Sequence, residues 1–176
     1  GGTASFSVMA NTLRGVYGTD VLLATANSFT GSVLQADYTK KLAASMIMPN
    51  GLMSRQRSMT GAELKETVRA FVEGCEGGFV PFNRGSLPVV SGIAVEVKEA
   101  GGSYTLTGIT RNGQPLRDDD TVTVTCLATS KQMEALLADK SGIPTDGDAW
   151  VKDTWRDYVS GGGAVLAEPE NYMTLR

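Results

Sequence analysis

The sequence predicts a single α+β domain over residues 1–176, a mixed sheet flanked by helices. Three observations carry that expectation. Segments of helical spacing and segments of alternating apolar spacing are interleaved along the chain without a regular βαβ rhythm. A chain of 176 residues buries roughly 70% of its unfolded surface as one domain and is too short for two full-sized ones. No internal repeat and no low-complexity tract interrupts it.

In chain order, residues 5–17 place Val8, Met9, Leu13 and Val16 near helical spacing, with Gly18 as the C-cap. The short apolar run 21–24 reads as a buried strand. Residues 37–48 suit a helix, stopped by the turn triplet Pro49-Asn50-Gly51. Residues 52–59 alternate loosely and put Arg55 and Arg57 on one face, as in a half-exposed strand.

Thr60-Gly61-Ala62-Glu63 has a hydroxyl at the N-cap and a carboxylate three residues on, so each can satisfy a helix-end N–H of the other. Leu64, Val68, Phe71 and Val72 follow on one helix face, and Gly74 ends it. After the Gly-rich loop 74–85, residues 89–97 alternate as one strand and 104–110 as its partner. Asn112-Gly113 predicts a tight turn, and Val122, Val124 and Cys126 alternate in a further strand. Residues 131–140 are helical in composition, 143–147 form a loop, and 150–159 form a last helix stopped by Gly161, Gly162 and Gly163. Residues 172–175 add a closing strand.

Composition excludes several classes of function. With 16 Lys+Arg against 19 Asp+Glu the chain has no basic field, which disfavours nucleic acid and anionic membrane as partners. No apolar run approaches the ~18 residues of a membrane span. Histidine is absent, which removes His-based triads, His acid–base chemistry and imidazole-ligated metal sites. Cys75 and Cys126 make no disulfide scaffold and have no Cys-x-x-Cys spacing; both a pair and two free thiols stay open. The opening Gly1-Gly2-Thr3 has no initiator Met, basic n-region or apolar h-region and reads as an excised or processed piece.

Motif by motif, little chemistry is specified. There is no G-x-G-x-x-G and no Gly-Lys-Ser/Thr phosphate cradle. Asp118-Asp119-Asp120 cannot converge three adjacent carboxylates on one ion and reads as a solvated turn. Asp146-Gly147-Asp148 imitates a calcium loop but continues with Trp150 and Val151 where that loop needs a ligand and Gly. Arg55 and Arg57, with Lys40 and Lys41, form either an anion patch or a solvated face. Trp150 and Trp155 lie five apart and point to different faces, one to the core and the other free to stack on a ring.

The order of these pieces resembles the C-terminal, substrate-recognition domain of the bacterial 5′-nucleotidase/UDP-sugar hydrolase family, nearly end to end. Thr19-Asp20-Val21-Leu22-Leu23 looks like the family's Gly-Ala-Asp-Val-Ala-Leu strand, and Ala26-Asn27-Ser28-Phe29 falls where the family writes Asn-Gly-Gly-Gly-Ile-Arg. Met48-Pro49-Asn50-Gly51 is similar to Pro-Phe-Gly-Asn, and Met59-Thr60-Gly61-Ala62-Glu63-Leu64 to Leu-Thr-Gly-Ala-Gln-Leu. Leu87-Pro88-Val89-Val90-Ser91-Gly92 resembles Phe-Leu-Gln-Val-Ser-Gly. Residues 108–116 look like Val-x-Val-Asn-Gly-Lys-Pro-Leu, and the tail around Trp155 fits the closing helix.

The resemblance implies a domain that is not catalytic by itself. Its partners would be an N-terminal metallophosphoesterase domain of the same polypeptide, which holds the divalent metals, and a small nucleotide-like ligand. It implies substrate-binding positions at Asn27, Phe29, Leu87, Asp148 and Trp150, no catalytic or metal-binding residue in this chain, and an extracellular, cell-surface or periplasmic location. The departures fall on the ligand positions. The family's two base-stacking Phe align with Leu87 and near Ala128, its motif Arg has no counterpart, and its Gly-Gly-Asp-Gly-Tyr is displaced to residues 146–150. Stacking contributes roughly 1–3 kcal/mol per base, and Leu keeps apolar area but loses the flat face. The alternative is a degenerate, non-catalytic binding or structural module of a secreted protein.

Overall fold

The computed structural model describes residues 2–25, 28–29, 45–47, 52–74, 88–128, 150–163 and 173–175. Helix α1 (Gly2–Tyr17) leads into β1 (Val21–Thr25); β2 (Met53–Thr60) leads into α2 (Gly61–Glu73). Then come β3 (Pro88–Ser91), β4 (Ala94–Ala100), β5 (Ser103–Arg111), β6 (Gln114–Pro115) and β7 (Thr121–Ala128). Helix α3 (Val151–Ser160) and β8 (Met173–Leu175) close the order.

The strands form two four-stranded sheets, ordered β2-β7-β1-β3 and β6-β5-β4-β8. In the first, β1 and β7 are parallel at the centre, with β3 and β2 antiparallel outside them. Every residue of β1 is buried, as an apolar strand covered on both faces must be. Alternation sorts the side chains into two cores. Val21, Leu23, Val122, Val124, Cys126 and Met59 face α2 and the second sheet, while Leu22, Ala24 and Leu127 face α1 and α3.

The helix ends are made by the residues expected to make them. Gly18 adopts φ +67° and donates to the Arg14 carbonyl at 2.9 Å. At α2 the capping box is reciprocal, Glu63 N–H to Thr60 Oγ1 at 3.2 Å and Thr60 N–H to Glu63 Oε2 at 2.8 Å. Leu64, Val68, Phe71 and Val72 are all buried beneath it. Asn112 and Gly113 both take positive φ, 52° and 75°, closing the β5–β6 hairpin as a type I′ turn.

The alternation in 89–97 predicts one strand; the structure has two, in different sheets. Val89 and Val90 pair with β1, whereas Val95 and Val97 pair with β5. Gly92, at φ +86°, makes the break, and a Cβ there would lie 2.0 Å from the Asp20 carbonyl oxygen. The one strand expected over 89–97 is therefore divided at this bend between the two sheets. The expected helix 37–48 lies outside the described residues except for 45–47, where Ile47 bridges Phe29. Residues 131–140, 143–147 and the loop after Gly74 also lie outside them.

Asp20 is the polar junction of the fold. Its Oδ2 accepts from Thr123 N–H at 2.9 Å and Thr123 Oγ1 at 3.0 Å, and its Oδ1 from Arg111 Nη2 at 2.6 Å. Its own N–H donates to Thr123 Oγ1 at 3.0 Å. Behind it, Arg14 Nε donates to Ser91 Oγ at 2.8 Å, and Ser91 donates to Asn11 Oδ1 at 2.5 Å. These bonds tie β1, β7, β5, α1 and β3 at one end of the first sheet.

The Asp118–Asp120 run is a turn. Asp118 pairs with Lys65 at 2.7 Å, and Asp120 accepts from the Arg117 N–H at 2.9 Å. Hydrogen bonding from Arg117 holds the Asp119 carboxyl below its ordinary range. Among the described residues no group of three or more His, Cys, Asp or Glu could hold a metal ion. No helix of these residues is long and apolar enough to cross a membrane. Cys126 is a free, buried thiol, and burial pushes its pKa from 9.0 to about 12.

Gly92→Ala should lose about 2 kcal/mol or more in a urea melt, through strain at positive φ and the clash with Asp20. Gly101→Ala, also at positive φ (+59°) but in open space, should lose about 1 kcal/mol. Because the folded state holds the Cys126 proton to about pH 12, its contribution is intact below pH 9.0 and is lost as pH rises from there. Melts at rising pH should show this decline reduced in Cys126→Ala, and native protein should leave Cys126 unmodified by a thiol reagent at about pH 8.

Candidate ligand-binding site

With both faces of the first sheet covered, the described strands present themselves at their ends. Thr25 closes β1 opposite Pro88, the first residue of β3. Ala128 closes β7 opposite Met53, the first residue of β2, and Trp150 bridges Met53 from the other side. The carboxyl ends of the parallel strands β1 and β7 are thus neighbours of the starts of β2, β3 and α3. Loops leaving such a rigid framework are where binding residues are most readily carried.

Trp150 is mounted rigidly. Beyond its bridge to Met53, Val151 N–H donates to the Leu52 carbonyl at 3.2 Å. The Trp150 carbonyl accepts from Asp153 N–H at 3.0 Å and Thr154 N–H at 3.2 Å. It occupies the N-cap position of α3, where indole offers no acceptor and makes no side-chain cap. Its ring is 48% exposed, whereas Trp155, on the inward face of the same helix, is 1% exposed. That division matches the spacing of the two residues, one in the core and one at the surface.

Phe29 is placed differently. It is 3% exposed and stacks on Phe6, with ring centroids 5.9 Å apart. Its ring belongs to the core between β1 and α1 and offers no face to solvent. Asn27, Leu87 and Asp148 lie outside the described residues. Two neighbouring hydroxyls, Thr25 and Ser28, sit 3.5 Å apart just past the apolar run of β1.

Strand register adds Met53, Arg55 and Arg57 to the face that carries Trp150. Residues directly opposite one another on antiparallel strands share a face, so Trp150 and Met53 point the same way. Arg55 opposes Cys126 and Arg57 opposes Val124, both members of the α2-side core. Arg57 Nη1 donates to the Gln56 carbonyl at 3.3 Å. A separate open groove of about 300 Å³ lies between α2 and the β5–β6 hairpin, lined by Lys65, Arg69, Leu106, Ile109 and Leu116 among others. Lys65 is paired with Asp118, and Arg69 reaches Glu73 at 3.9 Å, so the cations at its rim are already neutralised.

No family model matches the sequence. No curated protein matches it either. Solved structures do. A 5′-nucleotidase precursor from Thermus thermophilus superposes with TM-score 0.66 at 16% identity, over 98% of this chain and 34% of that one. The NAD nucleotidase of Haemophilus influenzae gives 0.65 at 16% identity, over 99% and 33%. The sulfate thiohydrolase SoxB of Thermus thermophilus, solved with glycerol, gives 0.60 at 14% identity, over 96% and 31%. The chain therefore has the fold of the 5′-nucleotidase C-terminal domain and spans about a third of the length of these proteins.

The two tryptophans should separate cleanly in a stability measurement. Trp155→Ala opens the core between the first sheet and α3 and should lower stability by about 3–5 kcal/mol. Trp150→Ala should leave it within about 0.5 kcal/mol.

Proposed function

We propose that this domain recognises substrate for a phosphoester hydrolase of the 5′-nucleotidase type, orienting a nucleotide-like ligand toward divalent metals held by a separate N-terminal domain. The observation that carries this reading is the Trp150 ring, half exposed on a doubly pinned backbone beside the carboxyl ends of β1 and β7. An exposed indole held in one orientation offers a flat apolar surface to a base at little entropic cost. The likeness of fold to nucleotidases supports it as analogy, since fold by itself does not fix function.

Among the described residues nothing fits a metal-activated hydrolytic centre. The chain has no histidine, and its described carboxylates form no ligand group. Its part would be positioning, which lowers the barrier by holding the ligand in line with groups supplied elsewhere. Asn27, Leu87 and Asp148 complete the proposed lining, with Asp148 accepting hydrogen bonds from the ligand. An extracellular, cell-surface or periplasmic setting belongs to the same reading.

Burial of Phe29 favours a second reading, a domain whose ligand pocket has degenerated and that serves as a binding or structural module. A thermal-shift series with uridine, UMP, AMP and UDP-glucose distinguishes the two. Recognition predicts a midpoint that rises with ligand concentration, by the equivalent of about 2.7 kcal/mol at a hundredfold excess over Kd, and a much smaller rise in Trp150→Ala. No shift with any of the four at millimolar concentration overturns ligand recognition and leaves the module.

A further inference from the structure

We propose that the edge of β5 lining the groove beside α2 is a docking site for an extended acidic peptide, which adds to the second sheet as a further strand. This surface is separate from Trp150 and independent of the ligand reading above.

The edge is open because its neighbour is short. β5 runs from Ser103 to Arg111, but β6 pairs with Thr110 and Arg111 alone, and the Leu116 N–H reaches the Ile109 carbonyl at 2.9 Å. Among the described residues no strand lies beside 103–108 on that side. The run Ser-Tyr-Thr-Leu-Thr-Gly carries none of the charge or proline that usually blunts a sheet edge, and Tyr104, Thr105 and Thr107 are good strand formers. One backbone group there is already met by a substitute for a strand. The Leu106 N–H donates to Glu73 Oε1 at 2.9 Å, a carboxylate oxygen standing where a neighbouring carbonyl would.

Space and charge select the occupant. The groove of about 300 Å³ follows this edge, lined by Leu106, Thr107, Gly108 and Ile109 from β5 and by Lys65 and Arg69 from α2. Those two cations are the charged residues of its described lining. They stand one helical turn apart, about 6 Å, close to the roughly 7 Å between alternate residues of an extended chain. A strand laid on β5 with acidic side chains at alternate positions therefore brings successive carboxylates to the two cations. Their present partners are easily exchanged. Asp118, paired with Lys65, is 76% exposed, and Arg69, 54% exposed, meets Glu73 only at 3.9 Å. Exposed pairs contribute about 0–1 kcal/mol, so exchanging them costs little, while the added main-chain hydrogen bonds supply the affinity.

Fluorescence polarisation with a labelled, capped peptide of about six residues alternating Val and Glu tests the site. Saturable binding is expected, with a Val–Lys peptide of the same length at least about tenfold weaker. Lys65→Gln and Arg69→Gln should each weaken the Val–Glu peptide about threefold. A proline at its centre should abolish binding, because it removes a ladder donor. Glu73→Ala, which removes the competing acceptor at Leu106, should tighten binding severalfold. Circular dichroism and the thermal midpoint verify that each variant is folded. No binding at millimolar peptide, equal affinity for the Val–Lys peptide, or binding that tolerates the proline overturns strand addition by an acidic segment. Affinity unchanged in Lys65→Gln and Arg69→Gln, or not increased in Glu73→Ala, places the peptide elsewhere and overturns this site.

Discussion

A single carboxylate at the start of the central strand organises this domain. Asp20 accepts from the backbone and side chain of Thr123 and from Arg111, so β1 is aligned with β7 and with the second sheet through one residue. Its carbonyl oxygen meets the chain where β3 turns away into β4, and the approach leaves no room for a side chain at Gly92. The two sheets therefore diverge at a point fixed by contact with β1. Three buried or half-buried polar groups, Asn11, Arg14 and Ser91, continue the junction into α1, and each polar atom cited finds a partner, as a buried network requires.

Because that junction closes one end of the first sheet and the two cores cover its faces, the opposite end carries the accessible strand termini. There the carboxyl ends of two parallel strands adjoin the starts of two antiparallel ones, and α3 begins beside them. A side chain at this end is held by the sheet without being part of its packing. Trp150 meets both conditions, while Phe29, four residues beyond Thr25, folds back into the core against Phe6. Nucleotidases and a sulfate thiohydrolase each share this fold with the chain at 14–16% identity, so the fold by itself does not fix what its loops bind.

Two carboxylates hold the α2 groove in its present state. Its cations are matched by Asp118 and Glu73, and Glu73 also accepts from the Leu106 N–H at 2.9 Å. The edge of β5 is met there by a side chain and not by a strand, which satisfies its backbone while leaving the edge accessible.

Local chemistry was legible in the amino acids. The Thr60–Glu63 capping box, the buried face of α2, the Gly18 stop, the Asn112-Gly113 turn and the separation of Trp150 from Trp155 all depend on residues a few positions apart, whose geometry the backbone period dictates. So did the absence of imidazole chemistry, which is a matter of composition. The break at Gly92 was not legible, because its cause is Asp20, seventy-two positions earlier, and a strand-like alternation runs through it unaltered. Nor was the burial of Phe29, or the alignment of Arg55 and Arg57 with Trp150, since these arise from packing and pairing between segments that are distant in sequence. Periodicity tells which way a side chain points along its own strand or helix; only the folded chain decides what lies on that side.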